Sequence, residues 1–234
     1  MKKAPALFLA VILALAAGWI TGTLIPLPLA KSAPAPRPAG SPLSAAVPDA
    51  LLVSVPDVRQ STGYTCGAAA LQAVLARWGT SEREDRLAAR LHSTPEAGTH
   101  PAEIVRVARE FGLSAELREG LSLADLEAAL AAGTSVIVDL QAWRDRTDIP
   151  WTGTWEDGHY MVLLGVDASN LYFEDPSLLG VRGVIPRAEF VDRWHDYEGD
   201  PPLDPTDRKY VHMAILIRGK GPAPAPPAAF ERVY

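Results

Sequence analysis

Cys66 is the single cysteine in a chain of 234 residues. It stands where a loop containing Gly63 meets a stretch with helical periodicity. At the start of a helix, free N–H groups and the helix dipole favour a thiolate. Six residues upstream is Gln60, whose amide could donate to an oxyanion developing beside the sulfur. The residues after the cysteine, Gly67, Ala68, Ala69 and Ala70, are small and would let a substrate backbone approach. A solitary cysteine is commonly no more than a small buried hydrophobe. The combination of glutamine, six-residue spacing and helix start points instead to a nucleophile.

A thiol nucleophile needs a base, and the base needs a group to orient it. Of the five histidines, His159 opens an apolar strand directly after Gly158. Asp175 lies at the end of the next strand pattern, so a hairpin would bring the two side by side. The carboxylate could then hold one ring nitrogen while the other faces sulfur. The remaining histidines fit less well. His92 and His100 flank the loop 93–98, His195 reads as locally packed, and His212 falls inside the terminal strand pattern. A metal site drawn from His92, His100, His195 and acids has no supporting ligand spacing such as H-x-x-x-H on one helix, so no metal is expected. There is no glycine-rich phosphate loop and no G-x-S-x-G serine elbow, so neither a nucleotide cofactor nor a serine nucleophile is expected.

The elements that must position these groups can be read from the apolar period. Leu71, Val74, Leu75 and Trp78 form a helical stripe from Thr65 or Cys66 to Gly79. Ser81-x-x-Glu84 has the form of a capping box and predicts a second helix through Leu91. A third starts at Thr99 or His100 and stops at Gly112. A fourth is capped by Ser122 and ends at Gly133. Strands are predicted at 51–55, 135–140, 159–166, 170–175, 182–185 and 210–217, with a short helix over 187–194. Helices first and an antiparallel sheet after predict an α+β fold of two facing layers. The tryptophan-rich stretch from Trp143 to Trp155 precedes His159. It is expected either to touch substrate beside the cleft or to anchor a loop to the core.

Composition bounds the rest. Residues 1–40 carry Lys2, Lys3, Lys31 and Arg37 and no acid, while the remainder holds 28 acids against 18 bases. So acidic a body, without a basic stripe, argues against nucleic acid as partner. Lys2 and Lys3 precede an apolar run whose 19 residues from Leu7 to Ile25 would span roughly 28 Å as a helix. Residues 1–30 are therefore expected to be a signal peptide or a single-span membrane anchor. They would place the body outside the cytoplasm, anchored in the membrane or released after cleavage. Residues 31–50 read as a Pro/Ala-rich linker, 51–218 as one folded domain, and 219–234 as a Pro/Ala-rich tail.

Three blocks together resemble the bacteriocin-processing cysteine peptidase family. They are Gln60-Ser-Thr-Gly-Tyr-Thr-Cys66-Gly-Ala-Ala-Ala, Gly158-His159-Tyr-Met-Val-Leu-Leu-Gly-Val-Asp167 and Phe173-Glu-Asp175-Pro176. The resemblance covers about residues 52–217. It implies a papain-like fold, with a helical layer packed against an antiparallel sheet. It also implies Cys66 as nucleophile, His159 as general base and then acid, Asp175 as orienter and Gln60 as oxyanion donor, with no cofactor. The family is best known in exporters that cut leader peptides after a double glycine, and it also occurs as exported stand-alone domains. This chain has Gly67-Ala68 where the family often has Gly-Pro, and it carries no ATP-binding motif. The expected activity is hydrolysis of peptide bonds by a thiol peptidase outside the cytoplasm. The alternatives are an acyltransferase or amidase acting on cell-wall peptide, or a non-catalytic peptide-binding module.

Overall fold

Small and aliphatic residues after Cys66 make a helix that can be enclosed by the rest of the chain. In the computed structural model, which describes residues 53–199 and 202–221, α1 (Cys66–Arg77) has Leu71, Val74 and Leu75 fully inaccessible. It ends as the stripe predicts, at Gly79, whose φ of 79° suits a residue without a Cβ. The second helix, α2 (Glu84–Arg90), starts later than its motif suggests. Its N-cap is Arg83, and Glu84 Oε1 accepts from the Ser61 backbone N–H at 2.9 Å. The glutamate is thus spent on the loop before Cys66, and the expected Ser81 capping box does not form.

α3 (Pro101–Glu110) follows, then β1 (Ser114–Arg118), a strand the sequence pattern did not signal. α4 (Leu123–Ala131) has the expected Ser122 cap, closed by Asp125 into a reciprocal capping box. β2 (Ser135–Gln141), β3 (Gly158–Val166), β4 (Asn170–Glu174) and β5 (Gly183–Pro186) fall close to their predicted runs. α5 (Arg187–Arg193) leads into β6 (His195–Glu198), β7 (Arg208–Val211) and β8 (Ala214–Arg218).

The main sheet has six antiparallel strands in the order β1-β8-β2-β3-β4-β5. β2 and β3 are its central pair and bury nearly every residue, hence their continuous apolar runs. Phe190 of α5 stacks on Phe173 of β4 at 5.7 Å, with Trp194 5.0 Å further on. This is the α+β architecture of a papain-like fold, helices packed against an antiparallel sheet.

Two strand expectations are corrected. The run 51–55 forms no strand over its described residues. Val53 and Val55 are buried, but Val53 makes one ladder-like bond, to Leu164 O at 2.9 Å. The run 210–217 is broken in two at His212, which has φ 52°. Its first half pairs with β6 in a separate two-stranded sheet and its second half enters the main sheet. A change of sheet needs a sharp turn, and His212 supplies it. His212 is therefore not a strand-interior residue; it stacks on Trp194 at 4.9 Å. The expected anchor or signal (1–30) and linker (31–50) lie outside the described residues, as does most of the expected tail.

Candidate active site

The start of α1 brings Cys66 to the central strands. No side chain caps this helix, so the N–H groups of its first turn remain for other acceptors. His159 and the backbone N–H groups of Tyr160 and Gly67 act on the sulfur. Cys66 is 8% exposed. Burial alone pushes its thiol up, but the His159 hydrogen bond and charge, with the two N–H groups, outweigh this and hold it below its ordinary value.

His159 stands at the mouth of β3, opposite Leu140 of β2. Its Nε2 is 2.7 Å from Asp175 Oδ1, which leaves Nδ1 as the nitrogen for the sulfur. Burial disfavours the imidazolium, yet Asp175 and Cys66 together raise it to about 10. Asp175 follows directly on β4, the return strand of the hairpin. Its Oδ1 also accepts from the Ser177 backbone N–H at 2.8 Å and from Ser177 Oγ at 2.7 Å. Burial favours the neutral acid, but His159 and Ser177 hold the carboxyl below the usual carboxylate range. The three shifts run in the direction of a thiolate, an imidazolium and a carboxylate.

Gln60 reaches this region by a strap rather than a strand. Val58 N–H donates to Glu174 Oε1 at 2.6 Å, and Gln60 N–H donates to Pro176 O at 2.9 Å. Glu174 is ion-paired with Arg182, whose guanidinium also donates to Val55 O at 2.8 Å. The strap is thus tied to the segment that carries Asp175. The Gln60 side chain donates from Nε2 to Thr62 O at 2.7 Å. An amide nitrogen has two protons, so one remains.

Other expectations divide. Gly67 and Ala68 to Ala70 are buried, like Cys66 itself. A Cβ on Gly67 would come within 2.8 Å of Thr99 Cβ, so the small residue is required by the protein's own packing. Within the tryptophan stretch, only Trp143 meets the site, its ring centroid 4.8 Å from that of His159. The guanidiniums of Arg144 and Arg193 each lie over the Trp151 ring, 4.3 Å from its centroid. Trp155 lies 4.3 Å from the ring of His195. His195 is itself buried and bonded to Thr154 O at 2.8 Å, a packed histidine as expected. His92 bonds Glu103 and His100 bonds Glu198.

The sequence reading missed Arg193, which donates to Gln141 O at 2.8 Å and Ala142 O at 2.7 Å and so holds the chain entering Trp143. It also missed Asp139, a carboxyl inside the apolar run of β2. A charged residue at the centre of a β-branched run was the available signal.

A thiol delivered by a helix start to an imidazole on an antiparallel sheet is the arrangement of the papain-like cysteine peptidases. A sequence model of the Peptidase_C39 like family matches residues 52–201, and the chain belongs to that family. An uncharacterized protein of Methanothermobacter marburgensis is 34% identical over 125 residues, 53% of this chain and 74% of that protein. Among solved structures, a chain described as a C39-like peptidase from Bacillus anthracis superposes with a TM-score of 0.55. It is 18% identical, and the match covers 73% of this chain and 98% of that one. The peptidase domain of Streptococcus ComA, a bifunctional ABC transporter, gives 0.50 at 18% identity, covering 70% and 97%. At such identities the structural likeness is one of fold.

Proposed function

We propose that this chain is a cysteine peptidase that hydrolyses peptide bonds through a Cys66–His159–Asp175 acyl-enzyme mechanism. The observation that supports it best is the His159 imidazole bonded to Asp175 through Nε2 while its other nitrogen serves the Cys66 sulfur. The thiolate attacks the scissile carbonyl carbon, forming the C–S bond as the carbonyl electrons move to oxygen. In this reading Gln60 is the oxyanion donor, through the Nε2 proton not given to Thr62 O. His159 then passes its proton to the departing amine and the C–N bond breaks. Water attacks the thioester with His159 as base, the acid leaves, and the thiolate–imidazolium pair is restored. Asp175 keeps the ring orientation and the positive charge throughout.

The substrate class is peptide or protein, in keeping with the family. The reaction takes place outside the cytoplasm, with the basic and apolar residues at the N-terminus as address or tether.

The test compares wild type with Cys66→Ala using a thiol-directed affinity label and a peptide library. Wild type should label at neutral pH far faster than free cysteine and cleave library members, and Cys66→Ala should do neither. Labelling no faster than free cysteine, together with an uncut library, would refute the assignment. For location, protease added to intact cells lacking an outer barrier should degrade the folded body; full protection would place it inside.

A further inference from the structure

The two strands that carry the site also hold a carboxyl that the reaction above does not use. Asp139 lies in β2 opposite Tyr160 of β3 and is 4% exposed. Among the described residues its Oδ1 has no hydrogen-bond partner, and its chain neighbours Val138 and Leu140 are inaccessible. The charged and titratable groups acting on it come from three elements: Cys66 of α1, His159 and Tyr160 of β3, and Asp196 of β6. Tyr160 faces this carboxyl across the strand pair, and its hydroxyl donates to Thr99 O at 3.0 Å. Thr99 in turn packs on Gly67, the residue after the nucleophile. Asp139, Tyr160, Thr99 and Gly67 thus form one continuous stack that ends at the start of α1.

The direction of the protons along this stack follows from what each group can do. A peptide carbonyl only accepts, and a phenol has a single proton, here given to Thr99 O. Toward Asp139 the phenol oxygen can therefore only accept. A carboxylate has nothing to donate; a carboxylic acid has. An ionised Asp139 would also set a negative charge near the Cys66 thiolate and near Asp196, and leave Oδ1 bare in an apolar interior.

We propose that Asp139 is a positioning residue held as a neutral carboxylic acid, donating to Tyr160 and bracing the start of α1 without repelling the Cys66 thiolate. Burial, with the charges of Asp196 and Cys66, pushes its carboxyl well above the usual range, in the same direction. The positioning role rests on Cys66 being the nucleophile proposed above; the protonation state does not.

Infrared difference spectra of wild type against Asp139→Asn at neutral pH read the proton directly. A protonated-carboxyl carbonyl band should be present in wild type and absent from the variant, and Tyr160→Phe should move it to higher wavenumber. The rate of Cys66 alkylation against pH reads the charge. Asp139→Asn should keep the wild-type midpoint, with a plateau rate within about twofold, since a neutral group replaces a neutral group. Absence of the band overturns the proposal. So does an Asp139→Asn midpoint displaced to lower pH, the sign of a removed negative charge. Should Asp139→Asn not fold, Tyr160→Phe decides alone, and an unmoved band would refute it. None of these measurements needs peptide turnover, so failure of the peptidase assignment would be seen separately.

Discussion

The indole of Trp143 lies over the imidazole of His159, with centroids 4.8 Å apart and planes at 53°. It covers the ring whose Nε2 bonds Asp175, and Arg193 fixes the chain immediately before it. Without this cover water would compete for the charge-assisted bond. Trp143→Ala should lower kcat by roughly tenfold, about 1.4 kcal/mol in the barrier. It should also shift the alkaline limb of the pH–rate profile to lower pH. Trp143→Phe should restore most of the loss. Steady-state kinetics across pH distinguishes this from simple destabilisation, which would leave the limb in place.

The pH dependence follows from the two shifts of the pair. In the proposed mechanism the thiolate–imidazolium form exists above the lowered pKa of Cys66 and below the value of about 10 for His159. Alkylation of Cys66 should therefore reach its plateau at a lower pH than alkylation of a free thiol, and lose its imidazolium assistance near pH 10. Asp175→Asn should narrow the plateau from its alkaline side. Folding stability has two edges as well, set by His159 and Asp175. His159, raised from an unfolded value of about 6.5, contributes fully below that value and loses its contribution as pH rises through about 10. Asp175, depressed from about 3.9, contributes above that value and loses it as pH falls through its folded pKa. Chemical denaturation at a series of pH values checks both signs.

Gly158 sits where a side chain cannot. A Cβ there would fall 1.8 Å from Asp196 Oδ2, while Asp196 Oδ1 accepts from Gln141 Nε2 at 2.9 Å. Gly158→Ala must displace that carboxylate or tilt the strand that begins with His159. Overpacking of this kind costs about 1–3 kcal/mol. Denaturant midpoints should show that loss, and activity should fall further than stability because the neighbouring residue is His159.

The strap that carries Gln60 depends on the ion pair between Glu174 and Arg182. Arg182→Ala would leave a buried carboxylate with its partner removed. The cost should be about 1–3 kcal/mol, below that of breaking a fully buried pair because the Arg182 side chain is 35% exposed. Hydrogen exchange at the amides of Val58 and Gln60 should quicken in this variant, and Glu174→Gln in the same chain should recover part of the stability.

Much of this arrangement was legible in the chain. The period of Leu71, Val74 and Leu75 predicts α1, and Ser122 predicts the start of α4. The separation of His159 and Asp175 by a hairpin predicts their contact, because a short antiparallel connection fixes which residues meet. The strap was not legible: Val53 and Val55 are apolar and β-branched like a strand, but side-chain bonds from Glu174 and Arg182 hold the segment without a ladder. The break at His212 was hidden for a related reason. Local propensity runs smoothly across 210–217, and only the competing demands of two sheets divide it.

The sequence by itself determined which groups stand at a helix start, a strand mouth and a hairpin end, because these are matters of spacing along the chain. The tertiary structure alone decided that Trp143 covers His159, that Asp196 occupies the space beside Gly158, and that Asp139 faces Tyr160 behind the thiol. Each joins residues far apart in the chain. Burial and the partners met across the fold set their charge and position, and no spacing rule records which partners those will be.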